Sequence, residues 1–223
     1  MKYFSKTEIL LWSISVTLII AAFLIFDRVN FLTLIASLVG VTSLIFCAKG
    51  NPIGQALMIV FSILYGMISL GFSYYGEMMT YLGMTMPMAV VSLISWVKNP
   101  YNGNKSEVRV NKISKREMIF ALILTAAVTV GFYFILKTFN TANLIPSTIS
   151  VTTSFFAAYL TFRRSPWFAA AYASNDLVLI ILWSLAAFDD ISYLSVTVCF
   201  SAFFVNDLYG FVSWRKMEKR QNV

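Results

Sequence analysis

Histidine is absent from this 223-residue chain, and charged residues make up only 12% of it. The first absence removes imidazole acid–base chemistry, Ser-His triads and histidine metal sites together. The second sets the chain apart from soluble domains, which carry roughly 25% charge. Cysteine is scarce too: Cys47 and Cys199 lie inside apolar runs, with no spacing for zinc or a disulfide framework. No GxxxxGK, GxGxxG or GxSxG pattern occurs. Phosphate-loop, dinucleotide-binding and serine-hydrolase chemistry therefore lack their signatures, and no cofactor or enzymatic activity is expected.

Hydrophobic residues, by contrast, make up 59% of the sequence. They gather in runs near the ~20 residues that cross a bilayer core, so the chain reads as an all-α integral membrane protein. Eight spans are expected: Ile9–Phe26, Phe31–Ala48, Ile53–Phe72, Glu77–Val97, Arg116–Leu136, Ala142–Phe162, Ser165 to about Phe188, and Ile191–Trp214. Ser73-Tyr74-Tyr75-Gly76 turns the chain between the third and fourth, and Asn102-Gly103 marks a turn in the long polar loop. The first run follows Lys2 and Lys6 but has no convincing small-x-small cleavage site, so it is expected to stay as a helix.

The net charge of +7 is not a nucleic-acid footprint, because the basic residues sit in short connections. Eight spans would put fifteen Lys/Arg on one side and only Arg28 and Lys137 on the other. The positive-inside rule then places both termini in the cytoplasm of a multi-pass cell-membrane protein. Trp96 and Trp214 close their spans on that side, where interfacial anchoring is the default expectation.

The punctuation repeats. Asn51-Pro52 returns as Ser165-Pro166, 114 positions on, and Ser95-Trp96 returns as Ser213-Trp214. Thr42-Ser43 and Thr80-Tyr81-Leu82 have counterparts in Thr153-Ser154 and Ser192-Tyr193-Leu194. The pattern is an extra helix (9–26), a three-helix repeat (31–97), a linker helix (116–136) and a second repeat in the same orientation (142–214). Parallel repeats of this kind place a substrate site between the halves near the midplane.

The polar residues agree with such a site. Ser165–Trp183 carries Asn175 and Asp176 near its middle, and the last span carries Asn206 and Asp207. An intramembrane aspartate costs roughly 2.5–3.5 kcal/mol on insertion scales and by default marks a pathway or ligand. The plainer reading is that interhelical hydrogen bonds satisfy both pairs. On the third span Gln55, Met58, Ser62, Tyr65 and Ser69 share a helix face. The 114-residue offset pairs Met58 with Tyr172, Ser62 with Asp176, and Ser69 with Trp183. On the last span Phe203, Asp207, Gly210 and Trp214 share a face, whereas Asn206 points to the adjacent one. The candidate substrate-binding residues are Gln55, Ser62, Tyr65, Tyr172, Asn175, Asp176, Trp183, Asn206 and Asp207. Pro87 in the fourth span would either kink the helix to expose carbonyls or do nothing beyond packing.

The stretch YGMISLGFSYYGEMMTYLGMTMPMAVVSLISWVKNP resembles the Pnu-type (PnuC-like) vitamin-precursor transporters, with a Tyr-bearing helix, a Gly-Glu turn, a mid-helix Pro and a closing Trp in order. SPWFAAAYASNDLVLIILW and NDLYGFVSWRKM resemble the second half of that family. The likeness spans about residues 30–215. A W-x-x-W pair found in some members is missing, since Ser-Leu-Ala follows Trp183. The resemblance implies a SWEET-like 3+1+3 fold and import of nicotinamide riboside by facilitated diffusion. It also implies trapping by a separate cytoplasmic riboside kinase, and a homo-oligomer. Relatives carry thiamine or riboflavin. A buried aspartate, aromatic faces and amides suit a cationic pyridinium with a carboxamide and ribose hydroxyls. Thiamine is also a cation. A membrane enzyme using Asp176 and Asp207, or an assembly subunit whose carboxylates serve docking, are the competing classes.

Overall fold

The computed structural model describes residues 3–71, 75–141 and 143–221. Phe72, Ser73 and Tyr74 of the expected span end and turn, and Ala142 at the expected start of the sixth span, lie outside the described residues. Among the described residues, eight helical segments are long and apolar enough to cross a membrane, matching the expected count.

α1 (Lys6–Phe26) starts at a capping box: Ser5 Oγ accepts from Glu8 N–H and the Glu8 carboxylate accepts from Ser5 N–H. α2 (Phe31–Ala48) and α3 (Pro52–Gly71) follow. The fourth span is α4 (Tyr75–Thr80), a π segment (Tyr81–Thr85) and α5 (Met86–Lys98). Pro87 has no N–H for the carbonyl four residues back, and a π turn is one way a helix absorbs that defect. Of the two readings open for Pro87, the structure shows a locally altered helix, with a widened turn just before the proline. α6 (Lys115–Thr138), α7 (Leu144–Phe162), α8 (Phe168–Ala186) and α9 (Leu194–Gln221) complete the bundle. α9 continues past Trp214 through the basic tail, which the apolar pattern alone did not show.

Six helices close into a ring in which α2 packs on α3, α3 on α5, α5 on α7, α7 on α8, α8 on α9, and α9 back on α2. The order is the same in each half, so the ring has a pseudo-two-fold relation. α1 packs outside it on α2 and α9, and α6 packs on α7. Along α6, Ile119, Phe120, Leu122, Ile123, Val130 and Phe134 are exposed, as a lipid-facing helix requires.

The halves are locked together reciprocally on the basic side. Trp214 Nε1 donates to Cys47 O at 2.8 Å and Ser213 Oγ to Ala48 O at 2.8 Å, so the end of α9 caps α2. Trp96 Nε1 donates to Thr161 O at 2.9 Å and Ser95 Oγ to Phe162 O at 2.9 Å, so the end of α5 caps α7. The serines reach the last carbonyl of each helix, and each tryptophan gives a second donor to a carbonyl that also accepts a turn N–H. Both tryptophans are 0% exposed, and their rings lie 5.3 Å apart. They are not interfacial anchors: an indole whose N–H reaches a buried carbonyl is held inside.

Each capped helix ends in a Schellman motif. In α2, Gly50 N–H bonds Cys47 O and Asn51 N–H bonds Phe46 O; in α7, Arg164 N–H bonds Thr161 O and Ser165 N–H bonds Leu160 O. Gly50 sits at φ +65° and Arg164 at φ +56°, left-handed backbone that costs a residue with a Cβ roughly 1–2 kcal/mol. The long loop forms a hairpin of β1 (Pro100–Tyr101) and β2 (Asn104–Val108) around the expected Asn102-Gly103 turn. Its continuation ties both motifs, Val108 N–H donating to Gly50 O and Asn111 N–H to Arg164 O.

Candidate functional site

At the centre of the ring lies a cavity of about 30 Å³. α8 supplies Tyr172, Asn175 and Asp176, α9 supplies Phe200, Phe203 and Asp207, and α7 adds Ser154. The first repeat contributes Leu44, Met58, Phe61, Tyr81 and Thr85. No Lys or Arg lines it. Tyr81 and Thr85 bound the π segment, so the widened turn aims both side chains inward.

Asp176 and Asp207 meet carboxyl to carboxyl. Asp176 Oδ2 is buried with no N–H or hydroxyl donor within reach among the described residues. Two carboxylates in contact repel unless a positive charge or a proton lies between them. Asn175 Oδ1 accepts from Thr153 Oγ1 at 2.8 Å, Ser154 Oγ at 2.9 Å and Ser150 Oγ at 3.4 Å, all on α7. Three hydroxyls fix that amide's rotation and leave its Nδ2 as the end able to meet a ligand.

Aromatic layers close the cavity on both sides. Away from the basic face, the Tyr65 ring lies 4.3 Å from Tyr81, 5.5 Å from Phe200 and 6.0 Å from Trp183. Toward the basic face, Phe168 packs 4.9 Å from Trp214 and 6.4 Å from Tyr172. A space of about 30 Å³ is roughly an order of magnitude below the ~300 Å³ of a small-ligand pocket. A nucleoside-sized ligand therefore requires these walls to part.

Of the nine expected site residues, Tyr172, Asn175, Asp176 and Asp207 meet in the cavity. Tyr65 and Trp183 belong to the layer above it. Ser62 bonds Met58 O within its own helix, and Gln55 Nε2 donates to Cys47 Sγ at 3.2 Å between α3 and α2. Asn206 turns to the extra helix, donating to Ser15 Oγ at 2.9 Å and Ala202 O at 2.8 Å. The apolar walls, Phe61, Phe200 and Phe203, were not singled out in the sequence, although Phe203 lies one helical turn from Asp207 on the face already noted. Gly40 makes room for them: a Cβ there would meet Phe203 at 2.3 Å and Phe61 at 2.9 Å.

An eight-span bundle with two like-oriented halves around a small central cavity that holds two carboxyl groups is the architecture of a membrane transporter. A sequence model of the nicotinamide mononucleotide transporter family matches residues 30–216, and the chain belongs to that family. The nicotinamide riboside transporter PnuC of Neisseria mucosa is 24% identical over 208 residues, covering 91% of this chain and 78% of its own. The Haemophilus influenzae protein of the same name is 21% identical over 196 residues, covering 86% and 83%. A crystal structure of the vitamin B3 transporter PnuC superposes with a TM-score of 0.86 at 22% identity, over 98% of this chain and 94% of that one. This likeness shows the all-α fold.

Proposed function

We propose that the protein carries nicotinamide riboside across the cell membrane by facilitated diffusion, its two halves alternately exposing the central cavity. The family description names the mononucleotide and the relatives' names the riboside. The two cargoes differ by a phosphate. The observation that decides between them is the lining: two carboxyl groups and no Lys or Arg. A phosphate brought into a largely apolar space beside Asp176 and Asp207 meets like charge with nothing to offset it. A pyridinium meets its complement.

In this reading Asp176 and Asp207 receive the cation, and Phe61, Tyr81, Phe200 and Phe203 offer ring faces to the pyridinium. Asn175 Nδ2 and the Tyr172 hydroxyl are placed for the carboxamide or the ribose. Tyr65 and Trp183 act as the outer gate, while Trp96, Trp214 and Phe168 form the inner one. Gln55, Ser62 and Asn206 support the helices around the cavity. The basic face is the cytoplasmic one, which carries both termini and opens toward a riboside kinase.

The test is ligand-induced thermal stabilisation of the purified protein by nicotinamide riboside, nicotinamide mononucleotide, thiamine and riboflavin, with Asp176→Asn beside wild type. Stabilisation by the riboside alone, lost in the variant, is the expected result. A response to the mononucleotide equal to that of the riboside would overturn the charge argument. A thiamine-only response would keep the cation site and change the cargo.

A further inference from the structure

The two Schellman turns on the basic face have the same backbone and different side chains. Gly50 occupies the left-handed position in the first repeat and needs no side chain to do so. Arg164 occupies the equivalent position in the second, where its backbone is strained. The turn itself therefore gives no reason for an arginine.

The surroundings of the two turns differ in the same way. Beside Gly50, two of the three basic residues are paired and a carboxylate is present: Lys49 pairs with Glu8 at 3.5 Å and Arg220 with Glu107, while Lys216 lines the same recess. Beside Arg164 lies a cavity of about 310 Å³, lined by Asn99, Arg109, Val110, Asn111, Lys112 and Arg164. Three of those six side chains are cationic and none is acidic. The nearby carboxylate of Glu117 is taken by the neighbouring Arg163.

Nε and Nη1 of Arg164 and Nδ2 of Asn111 are buried and donate to nothing among the described residues. Burial, with Arg163 and Arg109 close by, pushes the Arg164 guanidinium below its usual range. Like charges gathered around unused donors are the arrangement of an anion site, and the planar guanidinium fork matches phosphate oxygens.

We propose that Arg164, Arg109, Lys112 and the Asn111 amide form a phosphate-binding site on the basic face, separate from the central cavity. Its ligand class is a phosphate monoester or the phosphate of a lipid headgroup. The site lies where the loop that ties both halves meets the second Schellman motif. Bound phosphate would neutralise the cationic cluster and hold the loop on that turn.

The experiment uses the full-length protein in phosphatidylcholine nanodiscs, with melting temperature read against inorganic phosphate at constant ionic strength. A second arm replaces part of the lipid with phosphatidylglycerol and omits phosphate. Arg164→Gly copies the first repeat, so it should fold and melt no lower than wild type when neither source of phosphate is present. Arg109→Ala/Lys112→Gln provides a variant with unchanged backbone. Phosphate should raise the wild-type midpoint by about 3 °C or more and leave both variants unmoved. The same contrast in the phosphatidylglycerol arm alone would assign the site to a lipid headgroup. If neither source stabilises wild type more than Arg164→Gly, the site does not exist. Riboside binding serves as the control, since its loss would report on the central cavity and not on this one.

Discussion

The two repeats are nearly alike where they close backbone hydrogen bonds and unlike where they face the cavity. Ser95-Trp96 and Ser213-Trp214 make the same pair of bonds to opposite helices. The equivalent Schellman turns set Gly50 against Arg164, an offset of 114 residues, so the expected match of Thr42-Ser43 with Thr153-Ser154 is three residues out of register. Deeper in the membrane, that offset sets Phe61 against Asn175, Ser62 against Asp176, and Gly40 against Ser154. The first repeat supplies a largely apolar wall, and the second supplies the charge and the amide. Exposed carbonyls in lipid allow few solutions, so both halves keep the same one. One cargo lying between two halves needs only one set of polar partners.

The sharpest break in this comparison is on the polar side. Asp176→Asn keeps shape and removes charge, and we expect riboside affinity to fall about 10- to 100-fold, as for loss of a charge-assisted contact. Titration calorimetry or the stabilisation assay reads it; unchanged affinity would move the cation elsewhere.

The symmetric side is tested by Trp96→Phe and Trp214→Phe. Each removes one of the two donors to a buried carbonyl that keeps its turn N–H, at a cost of about 1 kcal/mol. The two midpoints should drop by similar amounts, a few degrees each. A large inequality would mean that one clamp holds the halves and the other only follows.

Gly40→Ser copies the counterpart residue Ser154 into the first repeat. Its Cβ collides with Phe203 and Phe61, so overpacking of about 1–3 kcal/mol is expected, together with weaker riboside binding. Binding equal to wild type would show that the phenylalanine walls have room to retreat.

The smallest effect is expected at Asn206→Ala. Its amide serves α1, so stability should fall by about 1 kcal/mol while riboside affinity stays within about twofold. A larger loss of affinity would return Asn206 to the cargo site.

Much of this was legible in the sequence. Apolar runs give the eight spans, because a bilayer imposes one length on every helix. The aspartates announce themselves because charge is costly there. Asn206 and Asp207 look equivalent as a pair, but adjacent residues on a helix point about a quarter-turn or more apart, and only the packing of α1 on α9 decides which faces inward. Phe203 could be read from its place on the Asp207 face, but Phe61 and Phe200 could not, because a phenylalanine in an apolar helix reads the same toward lipid, core or cargo. The tryptophans were misread because position near a span end signals an anchor unless a carbonyl from a distant helix lies in reach.

The reciprocal clamps carry a consequence for how the chain is assembled and where such chains arise. α2 leaves the ribosome early, yet Ala48 O waits for Ser213, and Cys47 O for its second donor Trp214, near the far end of the polypeptide. Neither half can finish itself. A polypeptide holding a single repeat could satisfy its own Ser-Trp pair only on a second copy, through a two-fold interface in which each subunit closes the other. Gene duplication would then convert a homodimer's symmetry into this chain's internal one, after which each half was free to take up different chemistry.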